Sequence, residues 1–379
     1  MSRRAVPRDR ASAALPNSNV PLAWAELLRL PALFTVPGDA LAGAAATSAP
    51  HNSRTLLAIG ASLCLYEAGM TLNDWADREE DAAERPHRPL PSGRIRPTAA
   101  LTAACALTAT GLALAARAGR PALSVAVPLA ATVWAYDLRL KHTPAGPAAM
   151  ATARALDLLL GAAATGGRIR EALPSAALLG THTLTVTTIS RHETQGGSSR
   201  APLAALATTA ALSTLITRVG GRDRGSEGAS GARGASDVPG ASEVPGASDG
   251  PGTSRARGAS DAQGAQPAPL PPTRARPPAR PPARPPAPPA LLASALRPTP
   301  SPLRQALATA YAATTARAYF HAALNPSPPL TQRAVGAGIR ATIPLQAALA
   351  ARSGGTATAL LVAALAPLGR RFARKVSIT

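Results

Sequence analysis

The chain has 379 residues, of which 46% are hydrophobic and only 16% are charged, and its formal net charge is +20. Its two cysteines exclude a disulfide scaffold, and the sequence contains no CxxC motif or Cys/His cluster typical of a zinc site. The mean hydropathy of +0.05 is that of an ordinary soluble protein. Such an average can conceal two unlike parts of one chain, so the chain has to be divided first.

Two stretches have the composition of disordered chain. Residues 1–20 are basic and lack the apolar stretch of about 7–15 residues that a secretory signal needs, which predicts a disordered cytoplasmic tail. Residues 219–288 contain the degenerate repeat GASDVPGASEVPGASDGPG and then RARPPARPPARPPAPP. Neither part can bury enough apolar area to offset the entropy of ordering. We therefore predict a disordered insertion, and a docking segment for a proline-binding partner is the less favoured interpretation.

The remaining sequence, 21–218 and 289–379, consists of apolar segments rich in Ala, Leu and Val. Most have the length of about 17–25 residues that a helix needs to cross a bilayer. They lack the charged face of a soluble helix, which makes a soluble all-α protein the weaker alternative. The predicted fold class is all-α, a polytopic membrane bundle, with segments near 22–46, 55–72, 98–117, 121–138, 147–166, 173–190, 201–218, 289–322, 332–351 and 355–369.

Positive charges predict the orientation of this bundle. Lys and Arg concentrate in the loops 78–96, 139–142 and 191–200 and in the C-terminal 370–375. Short basic loops of membrane proteins stay on the cytoplasmic side. We therefore expect these loops in the cytoplasm of a multi-pass protein of the cell membrane.

Acidic residues follow directly on the second apolar segment. Asn73, Asp77 and Asp81 are spaced i, i+4, i+8 and would form one stripe on a helix, with Asp74 beside it. Such a hard, oxygen-rich set is typical of a Mg²⁺ site that leaves room for a substrate phosphate. The alternative is a polar loop whose acids pair with neighbouring arginines. Ionisable groups at membrane depth favour the functional interpretation.

Basic residues on the same predicted face complete a phosphate site. Arg88, Arg139 and Lys141 could bind a diphosphate, to which Tyr136 and Asp137 could contribute. Each basic residue by itself is better explained as an ordinary cytoplasmic loop charge. Together with the acidic stripe, they predict a site that binds magnesium and diphosphate.

Further polar residues lie near this face or inside apolar segments. In SRHETQGG, Glu193 could bind a second metal and Arg191 a phosphate, although a helix C-terminus explains them equally well. Arg154 and Asp157 lie one turn apart within an apolar segment, where they either pair with each other or line a polar cavity. Arg29 likewise lies within an apolar segment, 22–46, where it could line a polar cavity.

These residues resemble a known family. NDxxDxxxD at 73–81 followed by RPLPSG at 88–93 is similar to the UbiA superfamily of intramembrane prenyltransferases. The resemblance implies about nine helices around a cavity, and a segment at 355–369 would be a tenth. It also implies Mg²⁺-dependent transfer of an isoprenyl group from a prenyl diphosphate to a small, often aromatic acceptor. Asn73, Asp77 and Asp81 would hold magnesium and diphosphate, and Arg88 and Lys141 would contact phosphate.

One motif departs from the family pattern. The family usually carries a second aspartate-rich motif after the sixth helix, whereas Glu193 is the only acid in SRHETQGG. The sequence there resembles the SRxExxGG pattern of an EboC-like branch. A non-catalytic transporter or scaffold with this fold is therefore the alternative function.

Two other enzyme classes are less favoured. The sequence lacks the DGxxAR signature of a CDP-alcohol phosphotransferase, and its apolar segments argue against a soluble isoprenoid synthase. The scarcity of aromatics argues against a nucleic-acid partner despite the +20 charge.

Overall fold

The computed structural model describes residues 20–47, 49–166, 168–191, 198–218 and 301–376, which all belong to one compact unit. The sequence-based predictions for residues 1–19 of the tail, for the insertion at 219–288, for the first part of the segment 289–322 and for Glu193 lie outside these residues. Those predictions therefore stay predictions.

The described residues form helices, with no strand among them. A 3-10 helix at Leu30–Thr35 precedes α2, and a π-helical turn at Tyr136–Leu140 follows α6. The α-helices are α1 (Val20–Leu27), α2 (Val36–Ala46), α3 (Ser53–Ala76), α4 (Arg78–Glu84), α5 (Pro97–Ala118), α6 (Arg120–Ala135), α7 (Gly146–Thr165), α8 (Ile169–Ser190), α9 (Arg200–Arg218), α10 (Pro302–Leu324), α11 (Pro328–Arg352) and α12 (Thr356–Val376).

Five of the described spans are long and apolar enough to cross a membrane: α3, α5, α6 with its π-turn, α7 and α11. They confirm the predicted all-α, multi-pass membrane fold. The 22-residue helix α8 is also long enough, but several threonines lower its hydropathy. Thr181, Thr183 and Thr185 each donate a hydrogen bond to the carbonyl one turn earlier, so these hydroxyls are satisfied within the helix. The total of about nine membrane helices stays a prediction.

The first apolar segment differs from its prediction. The sequence predicted one segment over 22–46, whereas the structure divides it into α1, the 3-10 helix and α2. Arg29 takes a left-handed conformation with φ 45° between the first two elements. Pro31 and Pro37 stand at the starts of the next two elements, where a missing N–H is tolerated. This break carries Arg29 to the end of the bundle where α3 ends.

Small residues let α2 and α7 approach closely. A Cβ built on Gly43 would lie 1.8 Å from the Leu158 carbonyl oxygen, and one on Gly161 would lie 2.1 Å from the Ala40 carbonyl oxygen. Glycines at such crossings are typical of membrane helix packing. The crossing continues into the main core, where α7 also packs against α6 and α8, and α3 packs along α5. It places the polar side chains of α2 beside those of α7.

Candidate active site

A cavity of about 300 Å³ lies between α3, α6 and α7. Its outer end, beside the C-terminus of α3, is lined by Arg29, Asn73 and Tyr136. The Asp137 carboxylate lies about one helical turn further in, level with Gly69. Its middle is lined mainly by apolar side chains, namely Leu65, Met70, Leu129, Val133, Met150 and Ala153. Its inner end is lined by the polar side chains of Ser62, Arg154 and Asp157. Asn73 and Ser62 lie about 16 Å apart along α3, so an apolar section separates two polar ends.

The acidic stripe lies where α3 passes into α4. The α3 helix begins with a capping box at Asn52 and Thr55 and ends at Ala76. The N–H of Asp77 still donates to the Asn73 carbonyl at 3.0 Å, and that of Asp81 donates to the Asp77 carbonyl at 2.8 Å. The one-turn spacing of the three residues therefore persists across the junction. Asn73 lines the cavity, while Asp77 and Asp81 lie beyond its outer end.

Two buried acids of this region bind arginines. Asp74 and Asp81 are 5% and 3% exposed. Arg29 donates to Asp74 at 2.8 Å, and Arg88 donates to Asp81 at 2.7 Å while also lying 3.6 Å from Asp74. Arg85 lies 3.6 Å from Asp81. The alternative that these acids pair with neighbouring arginines is thus realised in part, and it brings Arg29 and Arg88 to the outer end of the cavity.

The RPLPSG loop holds Arg88 in this place. The Ser92 hydroxyl donates to the Arg88 carbonyl at 2.6 Å, and Gly93 adopts a positive φ of 75° that lets the chain turn back. Arg94 then pairs with Glu26 of α1 at 2.7 Å. The loop is therefore tied both to itself and to the N-terminal helix, which limits the positions that Arg88 can take.

Asp77 lies in a group of side chains that could hold a cation. It pairs with Lys141, and the His142 imidazole lies 3.8 Å from its carboxylate. Asp77, Glu80 and His142 offer ligand atoms that all lie within 4.8 Å of one another. Glu80 and His142 were absent from the sequence-based prediction because their proximity depends on the fold of the loop after α6.

The π-helical turn carries three of the predicted residues, and two of them line the cavity. Tyr136 and Asp137 face the cavity, and Asp137 is 4% exposed. Arg139 is exposed on the same turn and does not line the cavity. Arg191, at the end of α8, donates to the Thr143 carbonyl and so joins the loop that holds Lys141. A π-turn inside a helix is frequent at functional sites.

A polar cluster forms the inner end of the cavity. Arg154 and Asp157 do not pair with each other: Arg154 pairs with Asp39 of α2 at 2.9 Å, and Asp157 accepts a hydrogen bond from Ser62 at 2.7 Å. The Gln346 side-chain amide of α11 donates to Asp39 at 2.6 Å. The sequence reasoning missed Asp39 and Gln346, although an acid within the apolar stretch VPGDALAG was a signal for the first.

Comparisons with known proteins agree with this architecture. A sequence profile described as the UbiA prenyltransferase family matches residues 32–217. The chain is 35% identical over 131 residues to a digeranylgeranylglyceryl phosphate synthase of Methanopyrus kandleri, covering 32% of this chain and 45% of that protein. It is 30% identical over 149 residues to the bacteriochlorophyll synthase 33 kDa chain of Rhodobacter capsulatus, covering 38% of this chain and 45% of that protein. The chain thus spans about half the length of these curated relatives.

A solved structure of a digeranylgeranylglyceryl phosphate synthase has a similar fold. The TM-score is 0.51 at 14% identity, and the match covers 88% of this chain and 99% of that one. At this identity, the likeness concerns the fold alone.

Proposed function

The chain belongs to the UbiA superfamily, and from this membership and the geometry of the cavity we propose that it is an intramembrane prenyltransferase. It transfers an isoprenyl group from a prenyl diphosphate to a small acceptor. One observation carries the proposal: an apolar cavity inside a membrane bundle ends at a dense cluster of acids and bases. The apolar section suits an isoprenoid chain, and the cluster suits its diphosphate.

The basic residues of the cluster would bind and neutralise the diphosphate. Arg29 and Arg88 present planar guanidinium groups that can bind phosphate through two hydrogen bonds, and Lys141 supplies a compact charge. Because these groups are already held at the outer end of the cavity, they need little rearrangement as negative charge develops on the leaving diphosphate. Arg191, tied to the loop that carries Lys141, adds positive charge at the same end.

The acidic residues support a divalent cation, which we propose to be Mg²⁺. The carboxylates of Asp77 and Glu80 and the side-chain oxygen of Asn73 are ligands that Mg²⁺ prefers, and the 4.8 Å grouping of Asp77, Glu80 and His142 fits one cation. When bound, the cation would supply positive charge that stabilises the departing diphosphate. Glu193, which lies outside the described residues, remains a candidate for a second cation.

The cavity wall would protect the reaction from water. Once the bond to the diphosphate weakens, the prenyl carbon becomes electron-poor and would react with any water nearby. Met70, Val133 and Met150 line the section next to the charged end. Their side chains offer water no hydrogen bonds, so the prenyl carbon would meet the acceptor in preference to solvent.

The test is prenyl transfer by purified protein in lipid nanodiscs. Labelled geranylgeranyl diphosphate and Mg²⁺ would be offered with geranylgeranylglyceryl phosphate or 4-hydroxybenzoate as acceptor. We expect a prenylated product that disappears with chelator and falls at least about 100-fold in Asp77→Ala and Asp81→Ala. Turnover unaffected by both substitutions would refute the assignment. Binding of the prenyl diphosphate without any product would support the alternative, a non-catalytic transporter or scaffold.

We also propose that the site faces the cytoplasm of a cell membrane, because the loops that form it are rich in Lys and Arg. With Cys64 and Cys105 replaced by alanine, a single cysteine in place of the exposed Glu80 would report this orientation. In intact cells, a membrane-impermeant maleimide should leave Glu80→Cys unlabelled, and permeabilisation should restore labelling. Labelling of intact cells would place the site on the opposite side.

A further inference from the structure

Asp137 differs from the other acids near the outer end of the cavity. Asp74 pairs with Arg29, Asp77 with Lys141 and Asp81 with Arg88. Asp137 is 4% exposed and faces the cavity, yet none of the described residues donates a hydrogen bond to its carboxylate or forms an ion pair with it. A buried carboxylate normally has such a partner. Among the described residues, Glu67 is also buried without a hydrogen-bond partner, but it does not line the cavity. The carboxylate of Asp137 does, which points to a group that a bound molecule would supply.

Gly69 shows how deep this carboxylate lies. A Cβ built on Gly69 would be 3.8 Å from Asp137 Oδ2, so the carboxylate stands level with Gly69 on α3. Asn73 lies one helical turn closer to the outer end, and Asp77 two turns closer. With a rise of 1.5 Å per residue, these distances along the helix are about 6 Å and about 12 Å. The Asp137 carboxylate is therefore below the region that would bind cation and diphosphate.

The walls at this level are apolar. The same Cβ on Gly69 would lie 2.9 Å from Val133 Cγ1, so Gly69 and Val133 border the space in front of Asp137. A prenyl diphosphate whose phosphates reach Lys141 and Arg88 would place its first carbon near this level. The acceptor has to approach that carbon, which brings its nucleophilic group within reach of Asp137.

We propose that Asp137 is a catalytic residue that accepts the proton of a hydroxyl-bearing acceptor during prenyl transfer. The inference rests on the proposed function. A lone pair of the acceptor oxygen forms the new bond to the first prenyl carbon. The bond between that carbon and the diphosphate oxygen breaks, and its electron pair leaves with the diphosphate. The proton of the acceptor hydroxyl passes to a carboxylate oxygen of Asp137.

Two other roles for Asp137 make different predictions. If it bound the cation or the diphosphate, removing its charge would change substrate binding. If it only stabilised the fold, its replacement would lower stability and every activity together. A proton acceptor instead affects the transfer step, by about 10²- to 10⁴-fold for general base catalysis, and leaves binding intact.

The experiment compares Asp137→Asn, Asp137→Glu and wild type in nanodiscs. Exposed Glu84→Gln on α4 serves as the control for loss of one negative charge near the site. Binding is measured with geranylgeranyl thiolodiphosphate and Mg²⁺. The thiolodiphosphate group of this analogue leaves far more slowly than a diphosphate group, so the analogue stays intact during the measurement. Transfer from labelled geranylgeranyl diphosphate to geranylgeranylglyceryl phosphate is measured as kcat and KM between pH 5 and pH 9.

We expect Asp137→Asn to bind the analogue within about threefold of wild type while its kcat falls at least about 100-fold. The loss of wild-type activity toward low pH should disappear in Asp137→Asn, and Asp137→Glu should restore part of kcat. Transfer by Asp137→Asn within threefold of wild type would overturn the proposal, and so would a parallel loss of analogue binding. Failure of the proposed function is distinguishable, because it would remove product from the wild type itself.

Discussion

The crossing of α2 and α7 gives the sharpest stability prediction. A Cβ on Gly161 would lie 2.1 Å from the Ala40 carbonyl oxygen and 2.5 Å from the Ala40 Cα. Favourable separation between non-bonded heavy atoms is about 3.5 Å, so Gly161→Ala requires the helices to move apart by roughly 1 Å. Both groups that clash are backbone, which no side-chain rotation can relieve.

Two effects of Gly161→Ala oppose each other. Alanine in place of glycine stabilises a helix interior by about 1 kcal/mol. Overpacking of a tight core costs about 1–3 kcal/mol, and the upper part of this range applies because the backbone has to shift. The shift also separates Asp39 from Arg154, which pair at 2.9 Å across this crossing. We therefore expect a net loss of about 2 kcal/mol.

Gly60→Ala in α3 is the matched control. Its Cβ would lie 3.3 Å from Leu114 Cδ1, the end of a side chain that can rotate away. The helix preference of alanine should then dominate, and the variant should be neutral or more stable by up to about 1 kcal/mol. Reversible unfolding by sodium dodecyl sulfate, followed by circular dichroism in mixed micelles, measures both free energies. A Gly161→Ala variant as stable as wild type would refute the reasoning.

Two further substitutions test the polar ends of the cavity. Asp39→Asn leaves the Arg154 charge without its carboxylate and should cost about 3 kcal/mol in the same unfolding assay. Adding Arg154→Met should recover most of that loss, whereas strictly additive losses would show that the pair is not coupled. Lys141→Met removes a proposed diphosphate ligand, so the KM for prenyl diphosphate should rise at least about tenfold. The control is Arg117→Met, which removes a positive charge at an exposed position. Equal KM values in the two variants would exclude a phosphate-binding role for Lys141.

The sequence by itself was sufficient to predict the membrane bundle and the acidic stripe that begins at the end of α3. Helix length and apolar composition are local properties, so they could be recognised without knowing which helices meet. The spacing of Asn73, Asp77 and Asp81 is also a local property, because it equals one helical turn. This spacing persists across the α3–α4 junction. The break at Arg29 was not predicted, because the two prolines of the first segment are also compatible with a kinked helix.

Partner choice among buried charges was decided only by the tertiary structure. Arg154 and Asp157 are one turn apart, yet Arg154 binds Asp39, because Gly43 and Gly161 bring α2 against α7. That Asp137 has no ion-pair partner among the described residues likewise emerges only once Lys141 is seen to bind Asp77. Spacing along a chain determines which side chains share a helix face. Which charges remain available for a substrate depends on contacts between helices that are distant in sequence.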